Sequence, residues 1–117
     1  MLNSSPATKV HLRPGVTDMR MGFEGLCALA AGPMELDPMS GHVFVFCNKS
    51  RTRVKLLYWD GSGLWVCAKR LERGRFSWPD AGPGATGKAV ICHAELSMLL
   101  SGIDPRQTRK RAWLRTG

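Results

Sequence analysis

Residues 53–79 read RVKLLYWDGSGLWVCAKRLERGRFSWP, and they are the most informative stretch of the chain. Two apolar runs, Arg53–Trp59 and Leu64–Leu71, are rich in the aromatic and β-branched residues that favour strands. The corner DGSG at 60–63 separates them, and a short glycine-rich connection of this kind is typical of an antiparallel hairpin. The stretch therefore predicts a two-stranded β-ribbon.

The ribbon is both basic and aromatic. Side chains alternate along a strand, so Arg53 and Lys55 are expected on the side opposite Val54 and Leu56. The basic run KRLERGRF at 69–76 follows directly. Guanidinium and ammonium groups bind phosphates, and flat rings can stack on bases. We therefore expect these cations to project together from one side of the ribbon, as a track for a polyphosphate chain.

Length and charge agree with a small basic domain. The chain has 117 residues, enough for one hydrophobic core, and we predict one domain over residues 1–104 followed by a basic flexible tail over 105–117. Seventeen Lys and Arg against nine Asp and Glu leave a net charge of +8. That excess favours an acidic partner, of which nucleic acid is the commonest for a small basic domain. The alternative is a protein that is merely soluble and basic.

The pattern of the remaining chain predicts an α+β fold, a small antiparallel sheet of about four to five strands packed by two helices. Besides the ribbon, the predicted elements are a strand at Thr8–Leu12, a helix capped by Thr17 or Asp18 and ended by Gly32-Pro33, a central strand at His42–Cys47, an edge strand at Ala89–Cys92, and a helix at His93–Ser101 with Gly102 as its C-cap.

The first of these helices has a predicted buried stripe and two glycines. Met19, Phe23, Leu26, Cys27 and Ala30 recur at helical spacing and are expected to face the core. The two glycines, at 22 and 25, are expected to let the helix lie close to the sheet.

Cysteine usage and hydropathy bear on the compartment. The four cysteines lie far apart with no CxxC pair, and no apolar run approaches the ~20 residues that span a bilayer. The N-terminal residues also lack the apolar core of a signal peptide. We expect reduced thiols in a cytoplasmic protein, with no metal, no cofactor, no small-molecule ligand and no membrane contact.

Five blocks of sequence, in this order along the chain, resemble one protein family. They are TDMRMGF at 17–23, DPMSGHVFVF at 37–46, LLYWDG at 56–61, KRLERGRFSWP at 69–79 and LLSGID at 99–104. From about Val10 to Asp104 the chain resembles the TnpB accessory proteins, encoded by the second reading frame of bacterial insertion sequences of the sixty-six family. These are distinct from the RNA-guided nuclease that shares the name, whose chain is several times longer.

The resemblance implies a role in transposition, a form of DNA recombination, beside a separate DDE transposase. The chain departs from the family pattern in two places. The segment AGPM at 31–34 shortens the first helix, and Cys92-His93 opens the second helix where the family has Ser or Thr followed by Pro. Cysteine is a poor N-cap, which costs on the order of 1 kcal/mol.

Catalysis by this chain is not expected. A DDE transposase needs three carboxylates around two divalent metals. The acidic residues here have simpler structural interpretations, and we predict that the protein is not an enzyme. Asp18 suits a helix cap, Asp37 a turn before proline, Asp60 the hairpin corner and Glu72 an ion pair with Arg70 or Arg75.

The predicted nucleic-acid contacts are the basic residues of the ribbon and of its neighbours, with one tryptophan. They are Arg20, Lys55, Lys69, Arg70, Arg73, Arg75 and Trp78 in the domain, and Arg109, Lys110 and Arg111 in the tail. For each cation the alternative is a solvated surface charge. For Trp59, Trp65, Phe76 and Trp78 the alternative to stacking on bases is core or hairpin packing.

Two functions follow from these observations. One is a DNA-binding accessory factor that contacts phosphates at the ends of the element and assists the transposase there. The other is a protein-interaction module that docks on the transposase without binding DNA, its positive charge being incidental.

Overall fold

The computed structural model describes residues 8–80 and 89–102. They form a five-stranded sheet with the strand order β4-β3-β2-β1-β5. Its strands are β1 (Val10–Leu12), β2 (Val43–Cys47), β3 (Arg53–Trp59), β4 (Leu64–Arg70) and β5 (Ala89–Ile91). Two helices pack on it, α1 (Phe23–Ala31) and α2 (His93–Leu100). The predicted α+β class is confirmed, whereas the basic tail and the boundary at residue 104 lie outside the described residues.

The sheet is antiparallel except for one pair. β1 runs parallel to β2, with Val10 opposite Val43, and the other neighbouring strands are antiparallel. Parallel neighbours need a crossover connection, and here α1 lies in the segment that joins them. β2 occupies the centre of the sheet and all five of its residues are buried, as its continuous apolar run predicts.

Each face of the sheet has its own hydrophobic cluster. On the α1 side, Phe44, Phe46 and Leu57 pack with Leu26 and Ala30 of the helix. The cluster on the α2 side contains alternate residues of the same strands together with Leu96 and Leu99, and with Phe76 and Trp78 from the segment after β4. Alternation along the strands therefore assigns each buried side chain to one of two cores.

The first helix begins later than predicted. Gly22 is its N-cap and makes no side-chain capping bond, so the assignment of Thr17 or Asp18 as the cap is wrong. Phe23, as the first helical residue, is 50% exposed rather than part of the buried stripe. A Cβ on Gly25 would lie 3.2 Å from the Cβ of Met21, so the close neighbour is the preceding loop and not the sheet. The predicted end is confirmed by the bond from the Gly32 N–H to the Ala28 carbonyl, 2.9 Å.

The second helix agrees closely with the prediction. The Cys92 N–H donates to the Glu95 carboxylate at 3.1 Å, and this bond compensates in part for the weak cysteine cap. Leu96 and Leu99 are buried. The C-cap is Ser101, one residue before the predicted Gly102. Gly102 follows it with φ +81°, the left-handed conformation of a helix C-terminus, and its N–H donates to the Leu99 carbonyl.

Candidate nucleic-acid interface

A polar loop positions the start of β3. The Asn48 side-chain oxygen accepts the N–H groups of Thr52 and Arg53, both at 3.0 Å. Arg51 in this loop has φ +60°, and its carbonyl accepts the Phe76 N–H at 2.7 Å. The Asn48 side chain and the Phe76 N–H both bind this loop, and together they fix the position of Arg53 at the start of β3.

Two arginines face one another across the ribbon. Arg53 of β3 is opposite Arg70 of β4. The N–H of Arg53 donates to Asn48, away from β4, so this is a non-hydrogen-bonded pair, in which side chains approach most closely. Like charges directly opposite each other are destabilising. Glu72 accepts a hydrogen bond from Arg70 Nε at 3.0 Å, and both of these side chains remain largely exposed.

Two surface depressions meet beside this pair, and both are bordered by Met19 and Arg53. The first also contains Lys55, Arg70 and Lys69, although the Nζ of Lys69 is bound at the end of α2, and the second contains Lys49 and Arg75. The fold thus brings five cations to one region on the α1 side of the ribbon. We call this region the basic face; its cations are Lys49, Arg53, Lys55, Arg70 and Arg75. The carboxylates among its lining residues are Asp18 and Glu72.

The predicted residue Lys55 has a structural bond as well. Its Nζ donates to the Met21 carbonyl at 2.8 Å, and the side chain is half-buried. It thereby ties the loop before α1 to the sheet while its charge stays at the rim of the first depression. Lys55 contributes positive potential to the basic face with less freedom than Arg53.

Arg20 is held by an acidic neighbour. Its guanidinium donates to both oxygens of Asp18, at 2.8 and 3.1 Å, and its N–H donates to Asp18 Oδ1 at 2.9 Å. Hydrogen bonds from the Arg20 side chain, and then from its backbone, lower the pKa of Asp18 to about 2. An arginine in such a pair is less available to a phosphate than the sequence suggested.

Lys69 lies on the other side of the sheet. It pairs with Val54, whose side chain belongs to the α2-side cluster, and its Nζ donates to the Leu100 carbonyl at 2.7 Å. The expectation that the cations share one side of the ribbon is therefore wrong for Lys69. Lys69 and Arg70 are adjacent in one strand, and adjacent strand residues point in opposite directions.

The other predicted residues are placed differently again. Arg73 is exposed in the bend after β4 but borders neither depression. Trp78 is only 6% exposed, and its Nε1 donates to the Arg13 carbonyl at 2.9 Å. A buried ring offers no face to a base, so Trp78 is a core residue, and the same holds for Phe76. The tail residues Arg109, Lys110 and Arg111 lie outside the described ranges.

Among residues 8–80 and 89–102, Trp65 is the exposed tryptophan. Trp65 is 47% exposed, and its Nε1 donates to Asp60 Oδ2 at 2.7 Å. The other Asp60 oxygen accepts the N–H groups of Ser62 and Gly63 and the Ser62 hydroxyl. These bonds, that from Trp65 first, hold the pKa of Asp60 well below its usual range. Trp65 is on the α2 side, away from the basic face, because it pairs with Tyr58.

Sequence reasoning missed Arg53 and Lys49. Strand alternation already put Arg53 on the side of Lys55, so its inclusion was within reach of the pattern. Lys49 joins the basic face only because the loop after β2 folds back beside Met19. That contact depends on tertiary structure and leaves no signal in the local sequence.

Metal ligands and membrane spans can be assessed for the same part of the chain. Across residues 8–80 and 89–102, no group of three His, Cys, Asp or Glu side chains could hold a metal ion together. No helix within these ranges is both long and apolar enough to cross a membrane.

Together, fold and surface define a small basic α+β domain with cations concentrated on one side of a β-ribbon. A family model described as IS66 Orf2-like protein matches residues 8–110, and the chain belongs to this family. It is thus an accessory protein of an insertion sequence, with a role in transposition. No solved structure matches the chain significantly.

Two curated relatives come from Sinorhizobium fredii (strain NBRC 101917 / NGR234). The uncharacterized protein y4hO is 42% identical over 110 residues, covering 94% of this chain and 93% of the relative. The uncharacterized protein y4jC is 32% identical over 111 residues, covering 95% and 92% respectively. In both cases the similarity extends over nearly the whole domain.

Proposed function

We propose that this accessory protein binds the DNA of its insertion sequence through the phosphate backbone, using the basic face, and thereby assists the separate transposase at the ends of the element. The observation that carries the proposal is the opposed pair Arg53 and Arg70 within a set of five cations. The family associates the protein with transposition, and the role of DNA as the polyanion of that process supports the proposal.

An anion would relieve the repulsion built into this face. Opposed guanidinium groups raise the free energy of the empty surface, and a phosphate between them converts the repulsion into two charge-assisted bonds. The Arg53 side chain forms no ion pair with the residues described, so its donors face solvent. Binding is then stronger than for scattered surface lysines, which are separately hydrated.

The proposal assigns a binding role and no catalytic step, in the cytoplasm. The carboxylates of the site already serve other groups, since Asp18 binds Arg20 and Glu72 binds Arg70. Phosphate contacts hold a protein on the duplex without reading bases, so we expect affinity for the ends of the element with modest sequence preference. Sequence choice would then belong to the transposase.

The decisive variant is Arg53→Ala/Arg70→Ala, tested by fluorescence anisotropy with a duplex of the terminal repeat. Loss of two phosphate contacts should lower affinity on the order of fiftyfold at ~0.1 M salt, and reduce the slope of log affinity against log salt by about 2. Circular dichroism should stay native because both side chains are exposed.

The matched control is Lys9→Ala/Arg73→Ala, which removes the same charge from exposed positions that border neither depression. It should keep most of the affinity. Equal losses in the two double variants would show that only net charge matters and would overturn the site. If the unaltered protein fails to bind duplex at ~0.1 M salt but binds the transposase, the docking module replaces this proposal.

A further inference from the structure

The outer edge of β4 is an open strand of seven residues. β4 is the last strand of the sheet on its side, and within residues 8–80 and 89–102 its only strand partner is β3. The Leu71 N–H donates to Thr52 and the Asp60 N–H donates to Gly63, so residues 63 and 71 direct their backbone groups inward. Alternation then turns the N–H and C=O groups of Leu64, Val66, Ala68 and Arg70 outward.

Apart from the exposed cations Lys69 and Arg70 at its end, this edge lacks the usual features that protect against pairing. Natural edge strands are short, bulged, interrupted by proline, or guarded by outward lysines. β5, at the opposite edge, has only three residues. β4 has a continuous register without a bulge, and its Lys69 side chain bends back to the Leu100 carbonyl. The edge therefore presents four residues with backbone groups ready for another strand.

We propose that β4 pairs antiparallel with β4 of a second copy of this chain, about a two-fold axis at Cys67. In such a pairing, residues whose backbone N–H and C=O groups point outward must lie opposite the same kind of residue in the other copy, because these residues form the hydrogen-bonded pairs. The register centred on Cys67 satisfies this rule and is the one in which all seven residues of each strand overlap. It pairs Leu64 with Arg70 and Val66 with Ala68 of the other copy.

The side chains of β4 are complementary to themselves in this register. The strand is apolar from Leu64 to Ala68 and basic at Lys69 and Arg70, so antiparallel pairing brings each basic end against the apolar start of the other copy. Lys69 meets Trp65 of the second copy, an arrangement that favours contact between its stem or ammonium and the indole ring. Asp60 already holds that ring in place. A register centred on Lys69 would oppose two ammonium groups and shorten the pairing, which disfavours it.

Such pairing joins the two copies into one ten-stranded sheet. The two-fold axis is perpendicular to the plane of this sheet. Both basic faces then lie on the same side of that sheet. The inference concerns association of the protein with itself and does not depend on DNA binding.

The test is sedimentation or light scattering of the whole chain over a range of concentrations, without DNA. The unaltered protein should form dimers, and Ala68→Pro should be monomeric. The Ala68 N–H points outward, so proline there removes an intermolecular bond while leaving the ladder with β3 intact. Ala68→Val, which retains the N–H, is the matched control and should remain dimeric. A monomer at every concentration, or a dimer that persists in Ala68→Pro, would overturn the inference.

A second measurement covers the case in which Ala68→Pro fails to fold. At the axis the two Cys67 residues form a non-hydrogen-bonded pair with Cα atoms about 4.5 Å apart, within the range of a disulfide. Copper-catalysed oxidation, in which two thiols lose two protons and two electrons to the oxidant, should give a covalent dimer. The dimer should vanish in Cys67→Ser and persist in Cys92→Ser, which alters the exposed thiol. Crosslinking that does not need Cys67 would contradict the register.

Salt distinguishes this association from DNA binding. Two copies of net charge +8 repel each other, and screening reduces that repulsion. Dimer formation should therefore strengthen between ~50 and ~300 mM salt, whereas binding to phosphates weakens. Dimer that dissociates as salt rises would instead indicate an electrostatic contact and would contradict pairing of the β4 edges.

Discussion

The two sides of the β3–β4 ribbon differ in how their cations are used. On the α1 side, Arg53 and Arg70 are exposed to solvent and lie opposite each other, next to two depressions. On the α2 side, Lys69 donates to the end of α2, and the neighbouring strand residues belong to a core. A contiguous basic run in a strand is thus divided by the pleat into a solvent-facing residue, Arg70, and a structural residue, Lys69.

The largest effect should come from a substitution in the α2-side cluster, on which the β3–β4 ribbon packs. Phe76 is 2% exposed in the α2-side cluster, and its N–H binds the loop before Arg53. Phe76→Ala should lower the free energy of unfolding by about 3–5 kcal/mol, measured by urea denaturation. DNA affinity should fall as well, because Arg75 is the preceding residue. A loss below about 1 kcal/mol would show that this segment does not help to build the ribbon.

Charge reversal on the two sides compares them directly. Arg53→Glu should lower affinity for duplex DNA by roughly eightfold or more at ~0.1 M salt, the value expected for one lost phosphate contact. Lys69→Glu makes the same change in net charge on the α2 side and should lower the affinity for duplex DNA much less. The measurement is anisotropy at a single salt concentration, and a larger loss for Lys69→Glu would reverse the assignment of the two sides.

The smallest effect concerns the acid that holds Arg20. Asp18→Asn should free that arginine and raise DNA affinity slightly, by a few fold. The folded state lowers the pKa of Asp18 to about 2, against an ordinary value of 3.8. The stabilisation from its charge is therefore present above pH ~4 and is lost as the pH falls towards 2. Melting temperatures of the two proteins should converge over that interval, and a constant difference down to pH ~2 would contradict the role of the ion pair.

Much of the sheet could be predicted from local patterns. The alternating runs of β3 and β4 and the continuous apolar run of β2 specify their positions almost to the residue. Gly102 marks the end of α2 because its positive φ suits a helix C-terminus, and Gly32 next to Pro33 marks the end of α1. These features depend on neighbouring residues alone, and a single sequence contains them.

Other features depend on distant contacts and could not be predicted in this way. The segment before α1 follows β2 instead of starting a helix, because the Thr17 N–H donates to Cys47 and the Arg13 N–H to Val45. Lys49 joins the basic face for the same kind of reason. Lys69 is different, since strand alternation separates it from Arg70 and could have corrected its assignment from the start.

The position of β1 has a consequence for synthesis on the ribosome. This strand is made first, yet it lies between β2 and β5, the latter formed by residues 89–91. The nascent polypeptide can build the β2–β4 meander early, whereas the N-terminal strand gains its second neighbour only after residue 91 has left the exit tunnel. Pairing over so long a separation is slow, so completion of the fold is a late event in translation.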